Sequence, residues 1–342
     1  MKLLVLTQKV DRTDPVLGFF HNWLRAFAPK FEHLLVVCLF RGRVERDENI
    51  EVESLGKERG SHTLTYVFNF YRLIIGKRKE YDAVFVHMNI EYVILGALFF
   101  KLFRKPVVLW YNHRQGGLLL RIAALFSDQV LYTSPYAAPA SFKNGVRMPA
   151  GIDPSRFKKE PVEKIPNSIL FLGRIAPIKG LGVLLKALHL LKRSTIPFTL
   201  DVYGESSDKD AHYAEGVKKE AVSLPEVVFR GSVENEKTPA LYGSHEIFIN
   251  LSPSGLFDKT ILEAMACESV VLISSRAFGE IIPSECIFAE GDSEDLKMKI
   301  EHLLALPPLR KEALGRRFRE YVVSNHSLES LSEKLFRIFA HL

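Results

Sequence analysis

The sequence predicts an α/β protein built from two doubly wound domains. Short, unbroken apolar runs alternate with helical stretches, and the rhythm stops at a proline-rich break and then restarts. The length of 342 residues also suits two cores, since single cores rarely grow past roughly 250–300 residues.

In the first half, Lys2–Thr7, His33–Phe40, Asp82–His87, Pro106–Tyr111 and Gln129–Thr133 are rich in Val, Leu and Phe. Runs that stay apolar on successive residues suit strands covered on both faces. Helices are expected between them, over Phe19–Ala28, His62–Lys77, Ile90–Phe103 and Gly116–Phe126. Residues 149–167 then hold Pro149, Pro154, Pro161 and Pro166 around the charged run Lys158-Lys159-Glu160, which is linker chemistry. The second half repeats the pattern, with strands expected at Ser168–Ile175, Phe198–Glu205, Val227–Val233, Glu246–Pro253, Val270–Ser275 and Cys286–Glu290. The helix after the first of these is the clearest, because Leu181, Leu184, Leu185, Leu188 and Leu191 form one apolar stripe. Two further helices, about 308–324 and 327–341, close the chain.

Composition excludes several classes. With 47% hydrophobic and 25% charged residues the chain is neither disordered nor fibrous. The longest clean apolar run, Tyr92–Phe100, has nine residues, against about twenty for a spanning helix. Leu3, Leu4, Val5 and Leu6 are too few for a signal peptide's apolar region of roughly 7–15 residues. Cys38, Cys267 and Cys286 are odd in number and scattered, so no disulfide framework or metal spacing emerges and a cytoplasmic chain is expected. The charge is uneven. Residues 1–160 carry 24 Lys and Arg against 15 Asp and Glu, and the remainder 22 against 25. A basic first half suits an anionic partner or is simply a soluble basic surface. Nucleic acid is disfavoured, because no zinc spacing, RNA-binding aromatic motif or long basic run occurs.

Ligands of doubly wound folds bind where loops leave the carboxyl ends of strands. The loop after the first strand lacks the three-glycine dinucleotide pattern, and no phosphate loop ending in Gly-Lys-Ser/Thr exists. Two other segments stand out. Gly173-Arg174-Ile175-Ala176-Pro177-Ile178-Lys179-Gly180 ends a strand in glycine and sets two cations five positions apart before a helix. The pair suits a diphosphate, with Gly173 allowing close backbone approach, or is two solvated cations at a turn. Ser252-Pro253-Ser254-Gly255-Leu256-Phe257-Asp258-Lys259-Thr260 leads a strand into a helix whose N-terminus suits a phosphate. On that helix Ile261, Leu262 and Met265 form the buried stripe and leave Glu263 off the core side.

Together these segments resemble the retaining glycosyltransferases of family 4, which have the GT-B fold. Here Gly173-Arg174 through Lys179-Gly180 and Leu262-Glu263-Ala264-Met265-Ala266 match that family's motifs. Pro149-Ala150-Gly151-Ile152-Asp153-Pro154-Ser155-Arg156-Phe157 resembles its interdomain segment, and Val202-Tyr203-Gly204-Glu205 and Phe229-Arg230-Gly231-Ser232-Val233 its base-binding loops. The resemblance implies two Rossmann-like domains with parallel sheets facing across an interdomain cleft. Residues 1–160 would take the acceptor, and residues 161–326 a UDP-, GDP- or ADP-sugar. The final helix, about 327–342, would pack back on the first domain. Arg174 and Lys179 would hold the diphosphate, and Glu263 would accept bonds from ribose hydroxyls. Gly204 and Val233 would face the base, and the Thr260 and Ile261 amides the phosphate. The sequence departs from the pattern at Gly255, eight positions before Glu263, where the family carries a sugar-contacting glutamate. Asp258 either supplies that carboxylate or caps the helix, and Lys259 either adds a cation or is solvated.

On the acceptor side, Gly18 sits where the family often has a phosphate-facing glycine. His113 is expected near the anomeric centre in preference to His87, and a strand-end histidine is otherwise a structural donor. The resemblance implies transfer without cofactor or metal. The leading expectation is a retaining hexosyltransferase with a lipid-linked or glycan acceptor, in cell-envelope polysaccharide or glycolipid synthesis. The rivals are a nucleotide-sugar 2-epimerase and a non-catalytic nucleotide-sugar-binding subunit. The aromatic, basic stretch Tyr66–Lys79, with Lys101, Arg104 and Lys105, reads either as a helix on an anionic membrane surface or as a packed helix with a solvated end.

Overall fold

The computed structural model describes residues 1–14, 17–194, 196–253, 256–279 and 281–342. The chain divides into two units, Met1–Gly151 with Leu328–Leu342, and Ile152–Ser327.

In the first unit the order is β1 (Lys2–Val10), α1 (Gly18–Phe27), β2 (His33–Arg41), β3 (Ile50–Ser54), α2 (Thr63–Gly76), β4 (Ala83–His87), α3 (Ile90–Leu102), β5 (Val107–Trp110), α4 (Leu118–Leu125), β6 (Gln129–Tyr132) and β7 (Gly145–Arg147). The strands form one parallel sheet, β3-β2-β1-β4-β5-β6-β7. Successive residues of a strand face opposite sides, which is why β1 needs an unbroken apolar run. Leu3 and Val5 enter the core layer under α1, with Phe20, Trp23 and Phe27. Leu4 and Leu6 enter the opposite layer under α2, α3 and α4, with Phe70, Val93, Phe100 and Leu120.

Sequence reading misses two strands and shortens a third. β3 alternates Ile50 and Val52 with Glu51 and Glu53, so it lacks a continuous apolar run, and it lies at the sheet edge. β7, at the other edge, has three residues. β1 continues past Thr7 because its register with β2 runs on to Val10, and Lys9 is neutralised there by Asp11 at 3.3 Å and Asp14 at 2.6 Å.

The second unit runs β8 (Ser168–Leu172), α5 (Leu181–Leu191), β9 (Thr199–Tyr203), α6 (Ala211–Ala221), β10 (Val227–Gly231), α7 (Thr238–Ser244), β11 (Ile247–Asn250), α8 (Lys259–Ala266), β12 (Val270–Ile273), α9 (Ser293–Ala305) and α10 (Pro308–His326). Its sheet is also parallel, in the order β10-β9-β8-β11-β12. All five leucines of the predicted α5 stripe are fully buried. The strand expected at Cys286–Glu290 is absent. A tight turn at Ser284–Cys286, entered through Pro283, leaves a single bridge from Ile273 to Ile287. The last helix, α11 (Leu328–Ala340), is part of the first unit, where Leu331, Leu335 and Phe339 join the α1 core layer.

Candidate functional site

Strand order fixes where the second unit can hold a ligand. From β8 the chain moves outward through β9 and β10, then returns to the other side of β8 to make β11 and β12. The loops after β8 and β11 therefore diverge at a topological switch point, which leaves a crevice at the carboxyl ends of those strands. Both motif segments lie there.

After β8, Gly173 and Arg174 lead into a single turn, Pro177–Lys179, and then Gly180, whose φ of +66° opens α5. Arg174 is exposed and has no ion-pair partner among the described residues. Lys179 is largely buried and crosses to the other side of the switch point. Its Nζ forms an ion pair with Asp258 and donates to Ser252 Oγ at 3.1 Å. Asp258 is the N-cap of α8. Its Oδ1 accepts from the Thr260 amide at 3.2 Å and Thr260 Oγ1 at 2.9 Å, and its Oδ2 from Asn250 Nδ2 and Ser252 Oγ, both at 3.1 Å. Burial pushes this carboxyl's pKa up, but the charge of Lys179 and these hydrogen bonds outweigh burial and hold it at about 2. The two roles left open for Asp258 thus resolve geometrically toward the cap, with Lys179 as its counter-ion.

The cap also occupies the amides assigned to phosphate. The Thr260 amide points at the Asp258 carboxylate, and the Ile261 amide donates to the Asp258 carbonyl at 3.2 Å. In this structure neither is free, and exposed Arg174 is the cation of these two segments that is solvent-facing and without an ion-pair partner among the described residues.

One turn further along α8, Lys259 and Glu263 stand at i and i+4, which places them on one face. Lys259 is not a solvated cation. Its Nζ is buried, and burial brings its pKa down to about 7 against the opposing pull of Glu263. Glu263 is half-buried beside fully buried Tyr242, whose hydroxyl donates to Oε2 at 3.4 Å. Burial raises its carboxyl to about 7, with Lys259 and Arg156 pulling the other way. A cation and a carboxylate, both poised near neutrality by burial, are set to respond to a ligand that supplies phosphate charge or hydroxyl donors.

On the β8 side of the switch point the strand ends carry glycines. Gly173, Gly204 and Gly231 end the adjacent strands β8, β9 and β10, the Gly204 amide donates to the Gly231 carbonyl at 2.8 Å, and the Gly173 amide donates to the Tyr203 carbonyl at 3.0 Å. Gly204 has φ of +139°, and a Cβ there would lie 1.9 Å from the Gly173 carbonyl oxygen. Val233 is half-buried in the loop after β10.

Sequence reading did not single out Asn250 or Tyr242, and it named Ser252 and Arg156 only as members of longer segments, with no role of their own. Asn250 and Ser252 were readable as polar residues two apart at a strand end, hence on one side of the chain. Tyr242 and Arg156 gave no signal, since their partners lie 21 and 79 residues away, at Glu263 and at the Asn235 carbonyl 2.7 Å from Arg156 Nη2. Gly255 lies outside the described residues.

In the first unit the switch point falls between β1 and β4. Gly18 opens α1 after the β1 loop, its amide bonded to the Asp14 carbonyl at 2.9 Å, and a Cβ there would lie 2.9 Å from the Arg12 carbonyl oxygen. His87 ends β4 but is only 4% exposed. It stacks on Phe20 at 4.3 Å and meets Thr7 Oγ1 through Nδ1 at 3.3 Å, the setting of a structural histidine. His113, one strand over after β5, is exposed. Its ring packs edge-on to Tyr111 at 5.4 Å, and its carbonyl accepts from the Ala138 amide at 2.9 Å. No group of three or more His, Cys, Asp or Glu among the described residues could hold a metal ion.

Residues 166–306, within the second unit, match the family model described as glycosyl transferases group 1. Sulfoquinovosyl transferase SQD2 of Arabidopsis thaliana is 25% identical over 276 residues, which cover 74% of this chain and 51% of that protein. One of the subunits of phosphatidylinositol N-acetylglucosaminyltransferase from the same plant is 25% identical over 179 residues, 51% of this chain and 39% of its own length. The chain thus spans about half the length, or less, of these curated relatives. Among solved structures, HepE of Anabaena in complex with UDP superposes with a TM-score of 0.79 over 100% of both chains, at 16% identity. That likeness shows the fold, GT-B.

Proposed function

We propose that this chain, whose second unit is a glycosyl transferases group 1 domain, moves a hexose from a nucleoside diphosphate-sugar to an acceptor hydroxyl. The observation that carries the reading is the placement of Arg174 and Lys179 at the switch point, across from α8 with its Lys259 and Glu263. A glycosyl–phosphate bond breaks with negative charge growing on the diphosphate. Cations already fixed where that charge appears lower the barrier, one such donor typically being worth roughly 3–4 kcal/mol. Asp258 holds Lys179 in place before the donor arrives, so little is reorganised on binding. Glu263, bonded to Tyr242, presents its carboxylate to ribose hydroxyls, and the strand-end glycines leave room for the base. A uridine nucleotide is supported by the UDP complex of HepE.

The acceptor is lipid-linked or glycan, as in synthesis of an envelope polysaccharide or glycolipid at the cytoplasmic face of a membrane. The sugar-transferring names of both curated relatives, one of them acting on phosphatidylinositol, support this. The reaction retains anomeric configuration, with leaving-group phosphate helping to take the acceptor proton, and exposed His113 serves the acceptor side. Arg174→Ala is the cleanest test, because this exposed side chain has no ion pair or hydrogen bond among the described residues. Incubation with labelled UDP-, GDP- and ADP-hexoses should give transfer or slow hydrolysis, reduced at least a hundredfold in Arg174→Ala at unchanged melting temperature. An isomerised sugar, or binding without turnover, would replace this reading with an epimerase or a non-catalytic binding protein.

A further inference from the structure

The helices α2, α3 and α4 lie on one face of the first sheet, and their inner sides fill a core layer with Phe70, Val93 and Leu120. Their outer sides are apolar as well. Leu64 and Phe68 on α2, Leu98 and Leu102 on α3, and Leu118 and Leu125 on α4 are 68–84% exposed. Within each helix the spacing is four or seven residues, so each turns one apolar stripe outward. Eight of the eighteen large apolar side chains exposed among the described residues fall between residues 64 and 126. Such concentration marks an interaction surface rather than scattered surface leucines.

Charge identifies what that surface meets. Arg72 on α2, Lys101 on α3 and Arg121 on α4 are exposed within one turn of an apolar position, with Lys79 and Arg104 just past two helix ends. None of these five has an ion-pair partner among the described residues. The only acid within the three helices is Glu91. Two copies of this face would set cations against cations. No helix among the described residues is long and apolar enough to cross a membrane, so the face would lie on a lipid surface rather than span it.

We infer that the outer layer of α2, α3 and α4 docks the chain on an anionic membrane, its leucines and Phe68 entering the headgroup boundary and its cations meeting lipid phosphates. This deepens the membrane part of the function proposed above and rests on it. It keeps Phe68, Arg72, Lys79, Lys101 and Arg104 of the surface the sequence suggested and drops the rest. Phe70, Leu73 and Ile74 of the Tyr66–Lys79 stretch are core residues, Lys77 is paired with Glu51 and Glu53, and Lys105 donates to the Tyr81 carbonyl. No single amphipathic helix makes the surface; three ordinary helices make it together.

The test is co-sedimentation of the full chain with vesicles of phosphatidylcholine alone or mixed with phosphatidylglycerol. The parent should partition onto the mixed vesicles and little onto the neutral ones. Each cation near the surface contributes about fivefold to partitioning, so Arg72→Gln, Lys101→Gln and Arg121→Gln together should lower it roughly a hundredfold. Leu98→Ser with Leu102→Ser should weaken it without changing the salt dependence. All five positions are exposed, so melting temperature and sugar transfer to a water-soluble acceptor should stay at parental values. Absent binding, or binding equal in all variants, overturns the proposal. So does lipid-free self-association that Leu98→Ser with Leu102→Ser abolishes, which would assign the face to a second copy. Loss of sugar transfer in the parent would instead strike the transferase reading and leave the vesicle result standing.

Discussion

Asp258 uses one carboxylate for two purposes, with Oδ1 capping α8 and Oδ2 holding Lys179 at the switch point. Its pKa of about 2 lies below the ordinary 3.8, so it contributes stability above about pH 4 that is lost as pH falls toward 2, about 2 kcal/mol in all. Asp258→Asn keeps the capping oxygen and loses the ion pair. At neutral pH it should be less stable by about that amount, and in urea titrations the difference should be roughly halved at about pH 3 and vanish only below about pH 2. Glu263 has the opposite sign. Its folded pKa of about 7 exceeds the ordinary 4.5, so stability falls as pH rises through that window. Glu263→Gln should therefore gain roughly 1–3 kcal/mol relative to the parent between about pH 4.5 and 7.5, while binding a nucleoside diphosphate-sugar more weakly. A variant that loses stability over that window would show that the carboxylate is not strained by burial. Residues such as Arg174, Lys179 and Glu263 were legible in the sequence because they sit in contiguous motifs. Tyr242 and Arg156 were not, because only folding brings them to their partners.

Among the elements, the site depends on strand ends that can approach each other closely. Gly204 combines φ of +139° with a missing Cβ 1.9 Å from the Gly173 carbonyl, so Gly204→Ala must both strain its own backbone and push β8 and β9 apart at their carboxyl ends. It should cost at least 1–3 kcal/mol and lower donor affinity together with melting temperature; an unchanged melting temperature would mean the loop relaxes freely. Buried elements were readable because their patterns are strong, as in the fully buried leucine stripe of α5. Edge elements were not, since Glu51 and Glu53 interrupt β3. The outward stripe of α3 escaped for a different reason: Ile90–Phe100 is apolar around the whole helix except Glu91, so sequence periodicity cannot separate its core side from its exposed side.

For the whole molecule, the chain's last helix completes the first unit. Leu331, Leu335 and Phe339 are buried with Phe20, Trp23 and Phe27, and burying three such side chains is worth roughly 5 kcal/mol or more. A chain ending at Ser327 should lose cooperative unfolding of its first unit while the second still melts, as calorimetry would register. Part of the charge imbalance has a place: Arg72, Lys79, Lys101, Arg104 and Arg121, without ion-pair partners among the described residues, lie on or just past the helices of one layer of the first unit, whereas in the proposed function the second unit would use Arg174, Lys179 and Lys259 for an anion. The central claim, that the β8–α8 crevice holds a nucleoside diphosphate through these cations, is tested most directly by thermal denaturation of the full chain with UDP, GDP and ADP. One of them, at about a hundred times its dissociation constant, should stabilise the parent by about 2.7 kcal/mol and Arg174→Ala far less at the same concentration. No shift with any nucleotide, or an equal shift in the variant, would contradict the assignment.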